Sequence, residues 1–326
     1  MTENRELTRR DFIRGTACAG MGFTLGMAAT AAPAPSSAAR ASRVVVVRNA
    51  GALDAKNNAQ ADVIAKMLAE GLVAFAETAT AAEAWKRFFR PDDAVAIKAT
   101  VMMTPTHPEV VRALMEGVAS AGVAADKIRV WDRNSGGTGP DQAAPAAWKW
   151  RPGFDDNSIG RAVVEATALI NVPGLKSHWL SGFGGALKNW CGAVTGINPP
   201  DKNAVFSFHG DSCAEMGMLN ALPAIRRKCR LVVVDALRPL CNGGPAVDPR
   251  YLWPYKGLLI GTDPVAVDAV GLKIIQGKRD QTRGSPWPLS PPPKHIAVAA
   301  EKYKLGTADL SQIEIVRLGW DEDAFV

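Results

Sequence analysis

The sequence predicts an α/β fold: a mostly parallel sheet with helices on both faces and long functional loops at the C-terminal edge of the strands. Three observations predict it. Short aliphatic and β-branched runs recur at residues 44–47, 94–98, 128–132, 168–172, 231–235 and 258–261. The run at 44–47 is continuously apolar rather than alternating, as expected of a strand buried on both faces. Segments with helical spacing of apolar residues separate them across short connections, the order of a parallel sheet.

The elements follow in turn. Four consecutive valines at 44–47 predict a central parallel strand. Residues 57–75 carry apolar positions at helical spacing, Val63, Met67 and Val73 among them, and 81–89 predict a second, short helix. The strand at 94–98 ends on Lys98. Thr106-His107-Pro108-Glu109 predicts a helix start with a capping threonine and an early acid, and the helix stops at Gly122. The strand at 128–132 ends on Asp132. Residues 133–156 are rich in Gly, Pro, Ala and Trp, and aperiodic loops of that length are usually functional or disordered. Their start, Asn134-Ser135-Gly136-Gly137-Thr138-Gly139, suits a flexible loop or a backbone wrap around an anion, and fits neither a Rossmann fingerprint nor a P-loop.

Pro173-Gly174 halts the strand at 168–172, and 184–194 predicts a helix bearing Lys188 and Asn189. After a polar loop at 196–212, residues 213–226 read as helical and 231–235 as a strand ending on Asp235. A Pro/Gly-rich loop with Gly243-Gly244-Pro245 leads to the strand at 258–261. Thr262-Asp263-Pro264 caps a helix bearing Asp268. A Pro-rich loop at 278–293, a short helix at 295–303 and a strand at 313–318 complete the chain, which has no internal repeat.

Residues 1–41 read as a twin-arginine export signal, leaving 42–326 as a single α/β domain. Thr8-Arg9-Arg10-Asp11-Phe12-Ile13-Arg14 precedes an uncharged run rich in Gly and Ala, followed by small-residue cleavage sites at Ala29-Thr30-Ala31 and Ala39-Arg40-Ala41. The expected partner is the twin-arginine translocase, the destination the periplasm or cell exterior, with no stable membrane span after cleavage. The whole chain carries +6, and residues 1–41 hold five Arg and three acids, so +4 remains. An excess that mild, without a basic run interleaved with aromatics, argues against nucleic acid. Cys191, Cys213, Cys229 and Cys241 show no Cys-x-x-Cys spacing, so one or two disulfides or buried free thiols are expected.

Chemistry concentrates after the strand at 168–172. Lys176, His178, Lys188 and Asn189 follow within a glycine-rich stretch, just past the carboxyl end of a strand, where open α/β sheets bind ligands. Lysines in apolar sequence need an anion or carboxylates nearby. Lys98, Asp132 and Asp235 end other strands, so one pocket at the sheet edge can draw on segments far apart in sequence.

Asn-Val-Pro-Gly-Leu-Lys-Ser-His at 171–178, Ala-Leu-Lys-Asn at 186–189 with Gly192, His209, the Asp235 strand, Gly243-Gly244-Pro245 and Thr-Asp-Pro-Val-Ala-Val-Asp at 262–268 occur in order. Together they resemble the family called domain of unknown function 362, from about residue 44 to 318. Twin-arginine signals are common in that family. Some members carry a ferredoxin-like cluster module, whose cysteine pattern this chain lacks. A Lys-Pro-Asn often follows the second strand there; here it reads Lys98-Ala99-Thr100.

The leading expectation is an exported enzyme acting on a small anionic ligand, a carboxylate or phosphate. His178, His209, Lys176 and Lys188 are the catalytic candidates, the lysines holding the anion. Lys98, Asn189, Gly243 and Gly244 are the substrate-binding candidates. His178, His209 and Asp235 form a candidate set for a divalent metal, the two-histidine, one-carboxylate donors that suit zinc, iron or manganese. Two rivals stand beside it: a periplasmic anion- or cofactor-binding protein without catalysis, and a redox partner holding a metal or Fe–S cluster on the cysteines. His107 is expected as a helix-cap residue, His295 at the surface, and Asp268 paired with a lysine.

Overall fold

The structure, a computed structural model, describes residues 42–132, 142–145, 158–194, 210–244 and 246–326. Eleven strands fall among them: β1 (Ser42–Arg48), β2 (Val95–Lys98), β3 (Ile128–Trp131), β4 (Gln142–Pro145), β5 (Ser158–Gly160), β6 (Ala168–Asn171), β7 (Gly174–His178), β8 (Gly182–Gly184), β9 (Cys229–Leu240), β10 (Gly257–Gly261) and β11 (Ile313–Gly319). The helices are α1 (Ala61–Ala76), α2 (Ala81–Phe88), α3 (Pro108–Ser120), α4 (Arg161–Glu165), α5 (Ala186–Asn189), α6 (Gly217–Ala221), α7 (Pro223–Arg226), α8 (Pro264–Arg283) and α9 (Lys294–Glu301).

One sheet runs β11-β1-β10-β9-β6-β2-β3, with β7 and β8 added beside β9. Strands β2, β3, β6 and β9 are mutually parallel, as are β1 and β11. Only β10 along this path runs the other way, antiparallel to both β1 and β9. The sheet is therefore mostly parallel, as predicted, and the valine run lies inside it. Alternate residues of each strand feed two separate cores. Val45 and Val47 pack with α1, α2 and α3; Val44 and Val46 pack with α8 and α9. Burial on both faces is why these strands read as unbroken apolar runs.

Local capping agrees with the sequence in part. Thr80 and Glu83 close a capping box on α2, and the Asp263 carboxylate accepts from Val265 N and Ala266 N at the start of α8. At α3 the N-cap is His107, not Thr106. The Thr106 hydroxyl instead accepts from Thr100 N (2.9 Å) and donates to Val172 O (2.8 Å), tying the loop after β2 to the end of β6.

Three further expectations are corrected. The stretch after Pro173 is not open loop: β7 and β8 form a hairpin, because β9 is twelve residues long and outlasts β6, leaving an edge for β7 to pair with from Asp235 to Leu240. Asp235 accordingly sits inside β9, past the tip of β6 and opposite Gly174 at the start of β7, rather than ending a strand. Residues 213–226 are helical as expected, in short segments (a 3-10 turn at Ala214–Met216, then α6 and α7), with Asp211, Ser212 and Cys213 left-handed before them. His295 is fully buried on α9. None of the four cysteines of the described region forms a disulfide. No helix among the described residues is long and apolar enough to cross a membrane.

Candidate functional site

The tips of β2, β3 and β6 carry Lys98, Asp132 and Asn171 in adjacent register, since Lys98 pairs with Trp131 on one side and Asn171 on the other. Lys98 is 1% exposed and forms a buried ion pair with Asp132. Its ammonium also donates to Ala99 O (2.8 Å) and Asn189 Oδ1 (3.2 Å), so all three protons are used within the protein. Asn189 is equally committed. Its amide donates to Asn171 Oδ1 (2.8 Å) and Lys98 O (3.1 Å), while Oδ1 accepts from Lys98 and Thr100 Oγ1 (3.0 Å). Lys98 and Asn189, expected at the substrate, are both engaged in an internal network that pins α5 to the strand tips.

Lys176 and Lys188 are placed differently. Lys176 and His178 are two residues apart on β7 and so share one face of the hairpin. Gly184, opposite Lys176, lies beneath both, its Cβ direction meeting the Lys176 stem and the His178 Cβ. Lys176 is 9% exposed. Its ammonium reaches only carbonyls, Met102 O at 3.4 Å and Gly174 O at 3.5 Å. Among the described residues neither Lys176 nor Lys188 makes an ion pair. Burial lowers the Lys176 pKa to about 7, and the charges of Lys188 and Lys98 add to the effect. Lys188 Nζ lies 4.0 Å from Cys213 Sγ, a thiol that burial pushes up to about 11.

The helix carrying Lys188 is held from below by Asp268. Its carboxylate, 1% exposed, accepts from Ala186 N (2.6 Å) and Leu187 N (2.9 Å). Asp268 thus caps α5 instead of pairing with a lysine, which is a correction at this site. Burial raises its pKa to about 7. Only a glycine at 185 lets it approach, since a Cβ there would overlap Asp268 Oδ1 and the Phe183 ring.

Asp235 was expected to join His178 and His209 in a metal set. It holds His107 instead: Oδ2 accepts from His107 N (2.7 Å) and meets its ring Nδ1 at 2.8 Å, and Oδ1 accepts from Leu237 N (3.0 Å). Burial opposes charging of the His107 ring, but the hydrogen bond and charge of Asp235 outweigh it and the pKa is raised. Sequence reasoning missed this pair. The signal was there, because His107 closes the loop after β2, at the same sheet edge as Lys98.

His178 Nδ1 accepts from Leu180 N at 3.1 Å. His209 lies outside the described residues, as do Pro245 and residues 134–139. Among the described residues no group of three or more His, Cys, Asp and Glu gathers to hold a metal. Gly243 and Gly244 adopt φ of 128° and 108°, a region that favours glycine. A Cβ on Gly244 would meet Met103 Cε at 2.9 Å and Trp179 Cδ1 at 3.0 Å, so this loop packs directly on the residue after His178.

The structure therefore brings together Lys176, His178 and Lys188, with the His107–Asp235 pair and the Gly243-Gly244 loop beside them. No curated protein and no solved structure matches the chain. The stretch that carries Lys176, His178, Lys188, Asp235 and Asp268 falls within residues 145–273, and over those residues the chain matches the family described as domain of unknown function DUF362.

Proposed function

We propose that this protein is an enzyme acting on a small carboxylate or phosphate anion, with Lys188 fixing the anion and Lys176 exchanging a proton with it. One observation carries the reading: two neighbouring lysines, one of them buried, make no ion pair among the described residues. A buried cation without a counter-ion is costly, and an anionic ligand relieves that cost. A pKa of about 7 lets Lys176 take a proton in its neutral form and return it as ammonium at ordinary pH, the property required of a general acid–base. His178, on the same face of β7, and the His107–Asp235 pair supply further groups for proton transfer.

We also propose that Arg9-Arg10-Asp11-Phe12-Ile13-Arg14 directs export through the twin-arginine translocase, so that the reaction takes place outside the cytoplasm. Cell fractionation with an Arg9→Lys/Arg10→Lys variant tests this; unchanged delivery would overturn it.

The function itself is tested on the full-length protein recovered from its own host. Native mass spectrometry is expected to find a small anion bound to the wild type and absent from Lys176→Met. Incubated with the wild type, that anion is converted; with Lys176→Met it is not. Recovery of a bound anion that the wild type returns unchanged would establish a binding protein and refute the enzyme reading.

A further inference from the structure

We infer that Lys176 is a nucleophile: its amine condenses with the carbonyl group of an oxo acid, and Lys188 holds that acid's carboxylate. This rests on the anion-site reading above and names its substrate class.

Hydrogen bonding separates Lys176 from Lys98. An ammonium has three protons to place; a neutral amine has two, and keeps a lone pair. Lys98 Nζ has three acceptors: Asp132 Oδ1, Ala99 O at 2.8 Å and Asn189 Oδ1 at 3.2 Å. Lys176 Nζ has two among the described residues, the backbone carbonyls of Met102 at 3.4 Å and Gly174 at 3.5 Å. That is the set a neutral amine uses. With both N–H groups turned to main chain, the lone pair is left for a ligand. Burial and the charges of Lys188 and Lys98 favour the same neutral form.

The amine is also held in place. Its stem crosses Gly184, whose Cβ direction meets Lys176 Cγ at 3.3 Å and Cε at 3.5 Å. Gly184 pairs with Lys176 across the β7–β8 hairpin, and α5 places Lys188 four residues past it. Lys188 makes no ion pair among the described residues, and its charge acts on Lys176. One small molecule with a carboxylate beside its carbonyl answers both groups. The carboxylate meets the cation, and the carbonyl carbon meets the lone pair. A simple carboxylate or a phosphate would leave that lone pair unused. Proton transfer alone is work for an imidazole, and Asp235 already holds that of His107 at this edge. What an amine adds is a nitrogen that bonds to carbon.

The step balances without a co-reactant. The nitrogen lone pair forms a bond to the carbonyl carbon. The two amine protons pass to the carbonyl oxygen, which leaves as water, and an imine remains. Nothing is oxidised or reduced.

The test traps that imine on the full-length protein near neutral pH. Pyruvate is the probe, and acetone its counterpart without a carboxylate. Cyanoborohydride reduces any imine to a stable secondary amine, which peptide mass spectrometry locates. The wild type is expected to acquire one pyruvate-derived adduct, at Lys176, about tenfold faster than the acetone-derived one. Lys188→Met is expected to remove most of that preference, and Lys176→Met and Lys176→Arg to abolish the adduct. Labelling confined to other lysines, or equal rates with the two probes in the wild type, overturns this inference. Calorimetry with inorganic phosphate at pH 6 separates its failure from that of the anion site. Phosphate binding that depends on Lys188, without an adduct at Lys176, leaves the anion site standing. Absence of both overturns the anion-site reading as well.

Discussion

Lys176 is the residue on which the site turns, and replacing it by methionine gives a prediction with a definite sign. Methionine keeps a similar length and volume but has no charge to desolvate. The Lys176 pKa lies near 7 in the folded protein and at 10.5 in the unfolded chain, so between those values the unfolded state binds more protons and stability rises with pH. At pH 6 the amine is charged in both states and folding bears the full cost of the shift, about 5 kcal/mol. At pH 9 the folded amine is neutral, and about 2 kcal/mol of that cost remains. Lys176→Met should therefore be more stable than the wild type, by about 3 kcal/mol more at pH 6 than at pH 9. For a chain of this size that is a difference of about 5 °C in the melting-temperature gap. Thermal unfolding in zwitterionic buffers, free of carboxylate and phosphate, reads it directly. Inorganic phosphate at pH 6 should then narrow the gap by stabilising the wild type alone. A gap of the same size at both pH values would mean that Lys176 titrates as an exposed amine, and the reasoning would fail.

Three other outcomes follow from the same geometry. Lys98→Met strands the Asp132 carboxylate in the buried pair and should cost about 3–5 kcal/mol, with much of it recovered in Lys98→Met/Asp132→Asn; denaturant unfolding that shows no loss would refute the pairing. Gly185→Ala forces Asp268 and Phe183 apart beneath α5 and should cost about 1–3 kcal/mol, together with weaker phosphate binding because Lys188 is displaced; retained stability and affinity would show that Asp268 does not position that helix. Asp235→Asn should lower the His107 pKa toward its ordinary value, followed by NMR titration of the ring, and an unmoved pKa would remove Asp235 as its partner. Because that pKa is raised on folding, the stabilisation His107 contributes is fully present below about pH 6.5 and is lost as pH rises through the folded-state pKa.

Much of the fold was legible because its signals are local. The runs at 44–47 and 168–172 read as buried strands because each strand is covered on both faces. Asp263 read as a cap because the residues it bonds follow within three positions. The β7–β8 hairpin was not legible. Its formation depends on β9 extending past β6, a length that Asp235 in the middle of an apolar run conceals. For the site, Lys176, His178 and Lys188 were found from composition and from their place after a strand. The internal bonding of Lys98 and Asn189 was not legible because their hydrogen bonds go to Asp132, Thr100 and Asn171, residues 18 to 89 positions away.

By itself the sequence determined the class of fold, the order of its elements and the region where the chemistry gathers, since periodicity and turn residues act over a few positions. The tertiary structure alone decided which cations stay unpaired. Lys98, Lys176 and Lys188 are the same residue type in similar apolar surroundings, and they differ only in whether strand register brings a carboxylate within reach. It brings Asp132 into an ion pair with Lys98, while among the described residues the other two make none.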